Sequence, residues 1–148
     1  MKVKCVKSSW DSVTLSEQGR AYYDYIYRIG KSGSVRPAVI GYESFVYAIV
    51  ARGGFVSYFI RDPKHGDMYH CPEFCFEVTD PRLSKYWHFQ HRYIKSQGLK
   101  MLGETYPTTW LGFPELLNEP MFLENYIEGN RREVSIFESA ASLIENEY

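Results

Sequence analysis

The chain has 148 residues, 45% hydrophobic and 24% charged, which is the size and balance of one domain around one core. With 17 Lys+Arg against 18 Asp+Glu its net charge is −1, which excludes a generally basic nucleic-acid protein and an acidic tail; an electrostatic partner must be sought in local patches. Its 13 Tyr, 9 Phe and 3 Trp point to a β-rich core, because flat rings pack well on a pleated surface.

The first ten residues carry charges too often for a secretory signal, and no run of about 18 apolar residues offers a membrane span. Three cysteines, an odd number, fit a reducing compartment, so the expected location is the cytoplasm, away from membranes.

Residues 2–7 alternate charged and apolar groups and predict a strand. Trp10 to Arg20 is polar and reads as a connection with room for a helical turn. From Ala21 to Ile29 the odd positions are Ala21, Tyr23, Tyr25, Tyr27 and Ile29, with Asp24 and Arg28 opposite, which predicts an amphipathic strand. Lys31-Ser32-Gly33-Ser34 is a turn. Val39 to Val50 and Phe55 to Ile60, joined through Ala51-Arg52-Gly53-Gly54, form a β-hairpin whose glycines tolerate positive φ.

Arg61 to Asp67 is a loop by composition, Phe74 to Val78 a further strand, and Lys85 to Tyr93 an aromatic one. Lys95 to Gly112 reads as a long loop. Pro114 then starts a helical turn, and Asn118 is a candidate cap for a helix with Phe122, Leu123, Tyr126 and Ile127 as its apolar stripe. Gly129 is suited to end it. Asn130 and Glu133 resemble a capping box before Val134, Phe137, Ala140, Ala141 and Ile144, which recur at helical spacing. The expected fold is α+β, one domain over 1–148. A β-rich unit (1–113), either a small strongly twisted antiparallel sheet or a partly open SH3-like barrel, precedes a C-terminal helical hairpin (114–148).

Charge is unevenly spread. Residues 1–113 hold 15 Lys+Arg and 10 Asp+Glu, a balance of +5, whereas 114–148 hold 2 and 8, a balance of −6. Glutamate is a good, soluble helix former, so acid on a helix face is commonly just a solvated face. The functional alternative is a docking face that accelerates encounter with a basic partner.

Catalytic signatures are weak. His65, His70, Cys71 and Cys75 lie within eleven residues, but the spacing offers no second ligand pair. On an extended strand Cys71 and Cys75 would sit roughly 13 Å apart at about 3.3 Å per residue, too far to share an ion. Glu73 and Glu77 share a face of the predicted strand and could pair as acid and base, or simply be its solvated side. No Gly-x-Ser-x-Gly, His-Glu-x-x-His or phosphate-cradling loop is present. Lys85 to Tyr93 mixes cations with rings, as nucleic-acid surfaces do, yet alternation would bury Trp87, Phe89 and Tyr93 and leave Tyr86, His88 and Arg92 outside. No cofactor, no metal and no catalytic residue is expected.

Asp80-Pro81-Arg82-Leu83-Ser84-Lys85-Tyr86-Trp87, Asn118-Glu119-Pro120-Met121-Phe122 and the run from Ile127 to Glu138 resemble small immunity proteins encoded beside bacterial polymorphic and contact-dependent growth inhibition toxins. That resemblance implies a cytoplasmic, non-enzymatic antitoxin that binds a cognate toxin domain and blocks its active site. Many such toxins are nucleases with basic surfaces. The implied docking residues are Glu124, Glu128, Glu138 and Glu145, with Tyr126 and Tyr148 as anchors. The alternatives are a small SH3-like nucleic-acid-binding module using the basic aromatic half, and a hydrolase with an unrecognised site.

Overall fold

A computed structural model describes residues 1–9, 14–27, 38–96 and 98–148. The elements are β1 (Lys2–Cys5), α1 (Glu17–Tyr27), β2 (Glu43–Arg52), β3 (Phe55–Arg61), β4 (Met68–Pro72), β5 (Phe76–Asp80), β6 (His88–Lys95), β7 (Thr105–Gly112), α2 (Pro114–Asn118), α3 (Phe122–Ile127) and α4 (Arg131–Glu145). Among the described residues the strands form one antiparallel sheet in the order β4-β3-β2-β1-β5, with β7 added to β2 and β6 to β7. The fold is α+β, an open antiparallel sheet followed by C-terminal helices and not a closed barrel, as expected.

Strand β2 changes partner along its length. Its first residues bond β1, Lys2 opposite Phe45, and its last five bond β7, Ala48 opposite Gly112. Between the two segments Tyr47 and Ala48 together oppose Phe59, a β-bulge, and this puts the consecutive Tyr47 and Ala48 in one core while Val46 and Ile49 on either side belong to the other. The hairpin to β3 turns on Gly53 and Gly54 with φ of 56° and 92°, as the sequence predicted; a Cβ at Gly53 would lie 2.8 Å from Leu102 Cδ2.

Each face of the sheet carries a core. On one, α1 lays Tyr22 and Tyr23 onto Val3, Val46, Ile60 and Cys71. On the other, Tyr47, Val50 and Phe59 meet Phe113, Phe122, Phe137 and Ile144 from the C-terminal helices. Phe137 touches the rings of Tyr47 and Tyr126 edge-on, both at 5.2 Å.

The strand expected at Ala21 to Ile29 is a helix as far as the described residues run; Ile29 and the turn at Lys31 to Ser34 lie outside them. Tyr22, Tyr23 and Ile26 form the inward set, a helical spacing, while the odd-position Ala21 and Tyr25 are exposed. Alternating tyrosines satisfied both periods, and packing against the sheet decided. The Trp10 to Arg20 connection accordingly ends in helix from Glu17. The loop expected at Lys95 to Gly112 contains β7, whose Thr and Trp residues pair with both β2 and β6. The strand expected from Phe74 starts at Phe76, because Glu73–Cys75 form a 3-10 turn, and β4 lies just before it.

Asn118 ends α2 and does not cap α3, whose preceding residue Met121 makes no side-chain cap. Ile127, expected in the α3 stripe, is 71% exposed because that six-residue helix buries only Phe122 and Tyr126 fully. Asn130 does cap α4, accepting from the Arg132 amide at 3.1 Å, but Glu133 turns to Arg132 rather than closing the box.

The rings of β6 overturn the expected alternation. Phe89 and Tyr93 are 67% and 72% exposed. Antiparallel partners share a face, so Phe89, Leu111, Ile49 and Tyr58 form one row across β6, β7, β2 and β3. Ile49 and Tyr58 in that row are partly buried against the core that holds α1, whereas Phe89 at the β6 end is exposed.

Candidate functional site

The acid of the C-terminal helices is held in two clusters and one free stretch. The short turn through Gly129 (φ 77°) returns Arg132 to the end of α2, where it meets Glu119 through Nη1–Oε2 at 2.7 Å and Nη2–Oε1 at 2.8 Å, and Glu133 Oε1 at 2.8 Å. In the second cluster Arg61, from the end of β3, donates from Nη1 and Nη2 to Glu138 at 3.2 and 3.1 Å and lies 4.0 Å from Glu145. The Tyr47 hydroxyl donates to Glu145 at 2.6 Å. Each arginine thus faces two carboxylates, and each cluster keeps one negative charge in excess.

Glu124 and Glu128 are exposed on and just beyond α3 and stand in no ion pair among the described residues. Glu124 also borders a cavity of about 280 Å³ between α2, α3 and the sheet, across which lie Arg52, Gln90, Arg92 and Trp110. Of the four expected docking carboxylates, Glu138 and Glu145 belong together around Arg61, whereas Glu124 and Glu128 stand apart from them on the neighbouring helix.

The two tyrosines expected as anchors differ. Tyr126 is buried, accepts from the Met68 amide at 2.8 Å and packs on Phe137, so its ring holds the core. Tyr148 is partly exposed; its hydroxyl donates to the Arg82 carbonyl, and its ring lies 5.6 Å from Phe45 with the Arg82 guanidinium 4.6 Å above it. Arg82 in turn pairs with Asp80 and holds that carboxyl at about 2 through its hydrogen bonds.

Groups that could do chemistry are mostly quenched by burial. Cys5, Cys71 and Cys75 lie in the same core cluster, brought together by the 3-10 turn that breaks the extended path assumed between the last two. Burial pushes the Cys75 thiol up to about 12 and raises Cys5 and Cys71 as well, which disfavours the nucleophilic thiolate. Burial, with the Arg52 charge second, presses His70 down to about 4; its ring stacks on Phe59 at 5.4 Å. His65 is exposed on the loop after β3. Among the described residues no group of three or more His, Cys, Asp or Glu is arranged to hold a metal. Glu73 sits in the 3-10 turn and accepts from the Tyr23 hydroxyl at 3.1 Å while Glu77 is exposed on β5, so they no longer share a strand face. No described helix is long and apolar enough to cross a membrane.

Sequence reasoning missed Arg61 as the residue that organises two glutamates. Its position two residues after Phe59 on an alternating strand was the available signal. No protein-family model, curated protein or solved structure matches the chain.

Proposed function

We propose that this chain is a non-catalytic antitoxin of the immunity type, which binds a cognate toxin domain in the cytoplasm and blocks its active site, with the acidic helical end as the docking face. The observation that supports it is the surplus of carboxylate. Residues 114–148 carry eight Glu and two Arg. Among the described residues the internal pairs consume only Arg132 from that segment and Arg61 from the sheet, so Glu124 and Glu128 are left exposed beside clusters that are themselves net acidic. A toxin that holds nucleic acid must present cations to phosphate, and such a surface is attracted to this end over about a Debye length, roughly 8–10 Å at physiological salt.

Glu124 and Glu128 are the residues with which the docking face is best probed. Glu138 and Glu145 contribute field but also hold Arg61, so their reversal mixes docking with stability. In place of Tyr126, the partly exposed Tyr148 ring is the remaining anchor, since a half-buried aromatic at a rim can be covered without unfolding anything. The test is coexpression with the toxin-like domain encoded next to this chain. A one-to-one complex that abolishes toxicity supports the reading; growth arrest with no complex rejects it.

A further inference from the structure

Among the described residues strand β6 hydrogen-bonds β7 on one side only and is the outermost strand of its branch. Phe89, His91 and Tyr93 point to the same face of it, opposite Leu111, Thr109 and Pro107 of β7. They are two residues apart, so their backbone positions stand about 6.8 Å from one another along the strand. His91 is held in place: Nδ1 lies 2.8 Å from Thr109 Oγ1, and its ring meets Tyr93 edge-on at 5.8 Å. The row is therefore a set of exposed rings on a rigid strand.

Its charge environment is mostly basic, with Glu104 next to Lys95 at the end of the β6–β7 pair, where its carbonyl accepts from the Ser96 amide at 2.8 Å. Residues 81–103 hold Arg82, Lys85, Arg92, Lys95 and Lys100 and no Asp or Glu. Arg82 is engaged by Asp80. Arg92, Lys95 and Lys100 are exposed and in no ion pair among the described residues. Lys95 continues the row of Phe89, His91 and Tyr93, whereas Arg92 projects to the other face and contributes only to the field.

We infer that this face of β6 binds single-stranded nucleic acid, with bases stacked on Phe89, His91 and Tyr93 and the backbone drawn by Lys95 and Lys100. An acidic peptide would use the cations but has no need of three rings in register. Duplexes hide the faces of their bases, so the row selects unpaired strands. Phe89 and Tyr93, four residues or about 13.6 Å apart, each give a base its own platform, with His91 edge-on to Tyr93 between them, and stacking of this kind is tolerant of sequence. The inference does not rest on toxin binding, which uses the opposite sign of charge on the C-terminal helices, beside the other face of β6.

The test is fluorescence anisotropy of the full chain with a labelled twelve-nucleotide oligo-dT, a matching duplex, and the variants Phe89→Ala, Tyr93→Ala and Lys95→Glu, with circular dichroism of each. The single strand should bind more tightly than the duplex. Each ring deletion should weaken it about tenfold. The log–log salt dependence should have a slope of about −1.4 for two neutralised phosphates. Tyr69→Ala, an exposed ring on β4, should leave binding unchanged. Absence of binding, equal affinity for the duplex, or affinity indifferent to Phe89 and Tyr93 overturns the inference. So does sedimentation showing that Tyr93→Ala abolishes a dimer while oligonucleotide binding is absent, which would make the row a self-association surface. Glu124→Lys with Glu128→Lys leaves the ring dependence intact, so failure of toxin docking and failure of this site are read separately.

Discussion

Glu138 closes on Arg61 with both carboxylate oxygens, at 3.2 and 3.1 Å, while the guanidinium lies 5.0 Å from the ring centre of Phe137 and 5.8 Å from that of Tyr47. The pair ties the last helix to the end of β3, against the rings of the core. Both partners remain partly solvated, so water screens the attraction. A double-mutant cycle with Arg61→Met and Glu138→Gln should give a coupling of about 0.5–1 kcal/mol in urea denaturation, falling as salt rises. A coupling near zero would mean that the contact is only geometric.

Stability should fall with acid through His70. Its folded pKa of about 4 lies below the ordinary value of 6.5, so the unfolded chain binds the proton first. The contribution of the neutral ring is complete above pH 6.5 and is lost as pH drops toward 4, by up to about 3 kcal/mol at 1.36 kcal/mol per pH unit. His70→Gln should flatten the stability profile between those values relative to the parent. Parallel profiles would show that carboxylates alone cause the acid loss.

The thiols should be silent in the folded chain. Cys5, Cys71 and Cys75 are buried and their thiolates disfavoured, so a chromogenic disulfide reagent at pH 8 should react slowly without denaturant and release three equivalents in 6 M guanidinium, as the cysteine count requires. One fast equivalent under native conditions would refute the burial of that cysteine.

Gly112 is a position of close approach. A Cβ there would stand 2.7 Å from the Ala48 Cβ and 3.1 Å from Leu117 Cδ1, across the β2–β7 pair and under α2. Gly112→Ala should cost about 1–3 kcal/mol in chemical denaturation, the usual range for overpacking. A neutral result would mean that α2 shifts freely, contrary to its packing here.

The hairpin was legible because Gly53-Gly54 between two apolar runs admits one local solution, and α4 because Val134, Phe137, Ala140, Ala141 and Ile144 keep helical spacing without exception. Helix α1 was not, since tyrosines at 22, 23, 25 and 27 satisfy either period and only the sheet's need for a cover selects the helix. Strand β7 was hidden by Pro107 and by threonines that signal neither period, and it is fixed by the two strands on either side of it. In the candidate site, the acid surplus of the helical end was readable from composition. Its distribution was not: Arg61, 70 or more residues earlier in the chain, meets Glu138 and Glu145 only after the fold is made. The exposure of Phe89 and Tyr93 was likewise hidden, because alternation tells which residues share a strand face but not whether that face is covered.

The most direct measurement is the rate of association between this chain and its toxin domain by stopped flow, across ionic strength, for the parent and for Glu124→Lys with Glu128→Lys. If the acidic helices steer docking, the double reversal should slow association about tenfold or more at low salt, and the two rates should converge as salt rises, while dissociation changes less. Equal association rates at low salt would contradict docking through this end of the molecule.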